Sequence, residues 1–161
     1  MMRASLLILV SLFVAMMLLI MPLPDWVVWY RPQWVLLVLV FWALTLPSRV
    51  GLLAAFIAGL FVDLLTASLF GLHALFYVII IYLVAKLQSR FYTAPVLQQT
   101  FLVFLLMMIY QLLQFWVEGM LGHVPSSWHY WLMPVVSMLF WPWIYILLRD
   151  FARRYQITNL E

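Results

Sequence analysis

Cysteine is absent from the 161 residues, which excludes disulfides, thiolate metal sites and thiol redox switches. Charge is almost as scarce, with eight Lys+Arg and five Asp+Glu, where a soluble domain of this length carries about 40 charged residues. A water-facing surface cannot be assembled from so few. A Gly-rich phosphate loop, a G-x-S-x-G turn and an H-E-x-x-H pair are missing too. His123 and His129 share one loop without metal-ligand spacing. No nucleophile–base pair and no basic stripe stand out, so neither an enzyme, a metal or cofactor site, nor nucleic-acid binding is expected. Internal repeats, low-complexity segments and linkers are likewise absent, which points to a single domain.

What is there is apolar: 69% of the chain. At about 20 apolar residues per spanning helix, six helices use about 120 residues and leave only short loops. The expected architecture is all-α, a six-helix transmembrane domain over 1–161 with spans at about 4–21, 32–46, 51–69, 72–87, 96–117 and 130–148. The first run is longer than the apolar part of a signal peptide and no small-x-small cleavage site follows it, so it reads as a retained span. The second is short, about 22 Å, and is expected to sit where the bilayer is thinned or where partners shield its ends.

Lys and Arg orient the chain. With both termini cytoplasmic, the inner segments hold Arg3, Arg49, Lys86, Arg90, Arg149, Arg153 and Arg154, and the outer segments hold Arg31 alone. A bias of seven to one fits the positive-inside rule and reverses if the protein is flipped.

Asp63 is the one carboxylate well inside a span, about 18 Å along the third helix. An Asp at mid-helix costs about 2.5–3.5 kcal/mol on insertion scales, so it should face protein or a wet cavity. It is either a ligand, proton or ion site, or an inter-helix hydrogen-bond anchor. Around it Gly51, Ala55, Gly59, Asp63, Ala67 and Gly71 recur at every fourth position and predict a groove of small side chains for close helix packing. No Lys or Arg lies at its depth, so a neutral carboxyl is expected, with Asn an adequate replacement.

Two further groups stand out. Gln111, Gln114 and Glu118 share one face of the fifth span and, with Asp63 and His73, could line an outward polar pocket. The bland alternative is interfacial or helix-bonding polar groups. Trp141 and Trp143 flank Pro142 at midplane depth, where they either fill a gap at a kink or present a face to a partner's membrane helix.

The strings Arg31-Pro32-Gln33-Trp34-Val35-Leu36-Leu37 and Leu46-Pro47-Ser48-Arg49-Val50-Gly51 resemble the opening of the rod-shape-determining membrane protein family MreD, in its proteobacterial form. Gly59-Leu60-Phe61-Val62-Asp63-Leu64-Leu65 followed by Gly71 resembles that family's G-x-x-x-D-L segment, and Trp141-Pro142-Trp143-Ile144 with Arg149 resembles its last helix. Ala67 departs from a glycine frequent in the family but keeps the groove small. The resemblance implies a multi-pass inner-membrane protein of the rod (elongation) complex, without catalytic residues. It implies association with MreC and, in the same complex, MreB, RodA and the elongation transpeptidase, in support of lateral peptidoglycan synthesis. Homo-oligomerisation stays open. The family's fold is also similar to the S-components of energy-coupling-factor transporters, so a small-molecule binding or transport module near Asp63 is the competing expectation. The A-x-x-x-A docking pattern of S-components is missing from the first span, where only Ala4 and Ala15 occur.

Overall fold

The computed structural model describes residues 2–22, 24, 30–122 and 128–154. Among these, six α-helices follow one another: α1 (Met2–Ile20), α2 (Trp34–Thr45), α3 (Leu52–Thr66), α4 (Leu72–Thr93), α5 (Val96–Met120) and α6 (Leu132–Arg154), with a 3-10 turn (Trp128–Trp131) before α6. Three stretches, Leu72–Phe91, Val96–Met120 and Trp128–Arg154, are long and apolar enough to cross a membrane; Ala4–Ile20, Trp34–Thr45 and Leu52–Thr66 are apolar but shorter. Helix limits depart from the apolar runs where chemistry other than hydropathy decides them. Helix α4 continues through Gln88 and Arg90 to Thr93, and α6 through Arg149 to Arg154, because Gln, Arg and Leu are good helix formers in water as in lipid. Helix α3 stops earlier than its apolar run, at Thr66, for a reason given below.

Helix α2 is the axis of the fold. Val35 to Leu44 are all buried, and the helix packs against α1, α4 and α6. A helix apolar on every side has no polar face to turn to water, so it lies inside the protein. Of the two expectations for this short run, the packing supports shielding by neighbours. Neighbouring helices enclose the roughly 18 Å of α2, and its length need not match any lipid thickness. Hydrogen bonds fix its position: the Trp42 indole N–H donates to Ser11 Oγ on α1 (2.8 Å), and the Gln33 backbone N–H donates to Ser137 Oγ on α6 (3.1 Å).

Arg31 has a structural use. Its guanidinium donates to the carbonyl of Leu19 (2.7 Å) and to that of Met21, at the C-terminal end of α1. Those carbonyls lack intrahelical partners and carry the negative end of the helix dipole, so a cation is favoured there. At the opposite end of the bundle, Arg49 Nη1 donates to Ser5 Oγ (3.1 Å). The C-termini of α1, α3 and α5 therefore gather at one end with the N-termini of α2, α4 and α6.

Candidate functional site

Helices α3 and α4 form the tightest pair. Ala55, Ala58, Gly59, Val62 and Asp63 make the buried face of α3. A Cβ added at Gly59 would collide with Ala74 Cα, and would lie 2.5 Å from Ala74 N and 2.8 Å from the His73 carbonyl carbon. Glycine is required here because backbone meets backbone. The small-residue ladder extends along the helix only from Ala55 to Asp63. Gly51 is the N-cap of α3, while Ala67 (φ 50°) and Gly71 (φ 94°) are left-handed residues of the turn that leads into α4. Ala67 is exposed, and a Cβ on Gly71 would meet nothing within 4 Å. The fourfold spacing thus corrects to a groove of three members followed by a turn, because the helix ends before the pattern does.

That ending is the work of Asp63. Its backbone carbonyl accepts from Ser68 N–H (3.2 Å) as the chain turns left-handed at Ala67. Its side chain then crosses to the start of α4: Oδ2 accepts from Gly71 N–H (2.8 Å), and Oδ1 from His73 N–H (2.9 Å) and the Ser68 hydroxyl (2.8 Å). His73 Nδ1 lies 2.8 Å from the same oxygen. Three of the four groups aimed at this carboxylate are N–H or O–H donors, and the first turn of a helix supplies two of them. Such a site suits an acceptor-only, ionised carboxylate at the positive end of the α4 dipole. The sequence-based expectation of a neutral carboxyl took no account of these donors. The missing countercharge is replaced by N–H and O–H dipoles and by the His73 ring.

Serine, histidine and carboxylate together invite a hydrolytic reading, which the geometry denies. Ser68 Oγ approaches His73 at Nδ1 (3.1 Å), the nitrogen that also faces Asp63. A nucleophile–base pair needs the hydroxyl on the opposite nitrogen. The Ser68 hydroxyl instead donates its hydrogen bond to the carboxylate. Asp63 is 1% exposed and His73 8%, while Ser68 is half-buried at the turn.

The outward pocket is not assembled as one set. Asp63 and His73 belong together, but Gln111 is buried and its amide donates to the Tyr130 carbonyl (3.1 Å), while the Gln114 amide donates to Glu118 Oε1 (3.1 Å). The three share a face of α5 and are occupied within α5 and with the turn before α6. An open apolar notch of about 300 Å³ lies on that helix, lined by Phe115, Trp116, Gly119 and Met120. The expected partner face also divides. Trp141 is fully buried against Tyr145 (ring centroids 6.0 Å), Pro142 is half-buried within a continuous α6, and Trp143 is 76% exposed. Among the described residues no group of three His, Cys, Asp or Glu is placed to hold a metal ion. His123 lies outside the described residues, and His129 stacks on Trp128 at 4.5 Å.

Ser68 is the member of the cluster that sequence reasoning missed. Its signal was a polar residue inside a turn of five residues between two apolar runs, bracketed by Asp63 and His73. Tyr77 and Tyr110 were also passed over, and both are fully buried beside His73.

A family model described as rod shape-determining protein MreD matches residues 2–151. A rod shape-determining protein MreD of Haemophilus influenzae is 33% identical over 141 residues, covering 86% of this chain and 87% of that protein. No solved structure matches the chain.

Proposed function

Because the chain belongs to the rod shape-determining protein MreD family, we propose that it is a non-enzymatic scaffold of the bacterial elongation complex. It crosses the inner membrane six times with both termini in the cytoplasm. It contacts MreC through helix surfaces, and shares a complex with MreB, RodA and the elongation transpeptidase. The observation that carries this reading is the closure of the Asp63–Ser68–His73 network on itself. The most conspicuous polar residues of the chain build its own hairpin, and recognition falls to helix faces such as Leu139, Trp143, Ile146 and Leu147 on α6. The competing reading, a small-molecule module near Asp63, draws little support from a carboxylate already bound on both oxygens.

Co-purification in mild detergent tests the scaffold. A single-pass partner recovered in stoichiometric amount is the expected result. A retained small molecule without a protein partner would instead favour the binding module.

Orientation has its own test, helped by the natural absence of cysteine. Single cysteines at Ser48, Ser89 and Thr158 should resist an impermeant thiol reagent applied from outside, and one at Ser126 should react. Thr158 and Ser126 lie outside the described residues. The distribution of charge supports this orientation. Arg49, Lys86, Arg90, Arg149, Arg153 and Arg154 belong to one end of the bundle, and Arg31 at the other serves as a helix cap. Labelling of the Ser89 variant from outside would overturn the six-span arrangement.

A further inference from the structure

Three buried rings meet where α4 faces α5, next to the Asp63 network. His73 and Tyr77 stand edge to face with centroids 6.3 Å apart, His73 and Tyr110 are 6.5 Å apart, and the two tyrosines are 6.1 Å apart. Both tyrosines are fully buried, and neither hydroxyl has a hydrogen-bond partner among the described residues. Neither reaches the other or the imidazole. A phenol hydroxyl buried in hydrocarbon without a partner is costly, since no solvent is at hand to replace the lost bond. The His73 ring meanwhile bonds through Nδ1 to Asp63. With the proton on that nitrogen, Nε2 is a free acceptor.

We propose that His73, Tyr77 and Tyr110 bind one internal water molecule between α4 and α5. The stoichiometry of donors and acceptors picks this guest. Two hydroxyls have protons to give and one imidazole nitrogen has a lone pair to offer. Water accepts twice and donates at least once, within the usual coordination of buried water. A hydrophobic guest leaves all three groups unpaired, and an anion is met by a lone pair at Nε2. The water extends the Asp63–His73 pair into a chain that crosses α3, α4 and α5. Among the described residues no direct polar contact joins α5 to α3 or α4 at this end of the bundle, so the water is the polar link between them. This inference stands apart from the scaffold reading and uses none of it.

Thermal unfolding of the full chain in detergent micelles tests the idea with Tyr77→Phe, Tyr110→Phe and the double variant, which keep ring volume. Each single variant should melt about 2–4 °C lower, the scale of one lost hydrogen bond in a chain of this size. The double variant should lose clearly less than the sum, because both hydroxyls serve the same water. Unchanged or raised midpoints in both single variants would show unpaired hydroxyls that are better removed, and additive losses would show separate partners. Either result overturns the proposal. Nitrogen-15 labelling of histidine provides a second readout on the unaltered protein. The Nε2 resonance of His73, identified with His123 and His129 replaced, should report a hydrogen bond and exchange with water, and lose both in the double variant. A non-bonded Nε2 in the unaltered protein refutes the water independently of any variant's stability.

Discussion

Gly59→Leu is expected to prevent accumulation of the folded protein, whereas Leu60→Ala, one position along, should accumulate and melt close to the parent. A side chain at position 59 would be driven into the backbone of His73 and Ala74, with Ala74 N only 2.5 Å from the first added carbon. Overpacking against side chains costs about 1–3 kcal/mol because they can swing aside. Backbone cannot, so α3 and α4 must separate along their length and the cost should reach or pass the top of that range. In lipid the lost contact is not recovered, since no water exclusion pulls the helices together again. Leu60 is half-buried, and trimming it removes only part of one side chain's contacts. Membrane abundance and detergent melting of both variants decide the matter. Equal behaviour would mean that the two helices do not meet at Gly59 in the cell.

The second large effect concerns Asp63. Asn is expected to be damaging, and Leu more so. Both carboxylate oxygens receive donors. An amide keeps one acceptor oxygen, which best remains with Ser68 and His73, and its NH2 then confronts the Gly71 N–H. Two donor groups are left facing each other without an acceptor, at about 1–3 kcal/mol for each that is buried, and any favourable charge at the start of α4 is lost, at about 0.3–1 kcal/mol. Leu strands every donor at once. The expected order of melting temperature and of rescue in a cell-shape complementation test is Asp, then Asn, then Leu. Parent-like stability and shape for Asn would defeat the carboxylate cap. If Asn and Leu both accumulate normally and both fail to restore rods, the charge serves something other than the hairpin, and an ion or ligand site gains ground.

Asp63 was legible from sequence because a lone carboxylate in an apolar run has few innocuous explanations. Its partners were not, because the turn from Ala67 to Gly71 folds donors back onto the helix, and hydropathy says nothing about turn geometry. The spacing that led to Gly71 assumed a helix where a left-handed Ala67 ends it. Trp141 and Trp143 show a different limit. Two positions on a helix are about 200° apart, so one faces inward when the other faces outward. Gln111, Gln114 and Glu118 do share a face, as their spacing requires, but periodicity cannot say what that face meets. For α2, uniform apolarity agrees with its enclosure by α1, α4 and α6, while the length of the run alone does not distinguish lipid from protein surroundings.

The enclosure of α2 also bears on how the protein is made. As the chain emerges, α2 follows α1 and can pair with it through Trp42 and Ser11, but its remaining flanks belong to α4 and α6. The contact from Gln33 to Ser137 waits for the final helix. The central element is thus inserted early and covered last, and a nascent chain that stalls before residue 132 carries an uncovered core helix, a form exposed to membrane quality control.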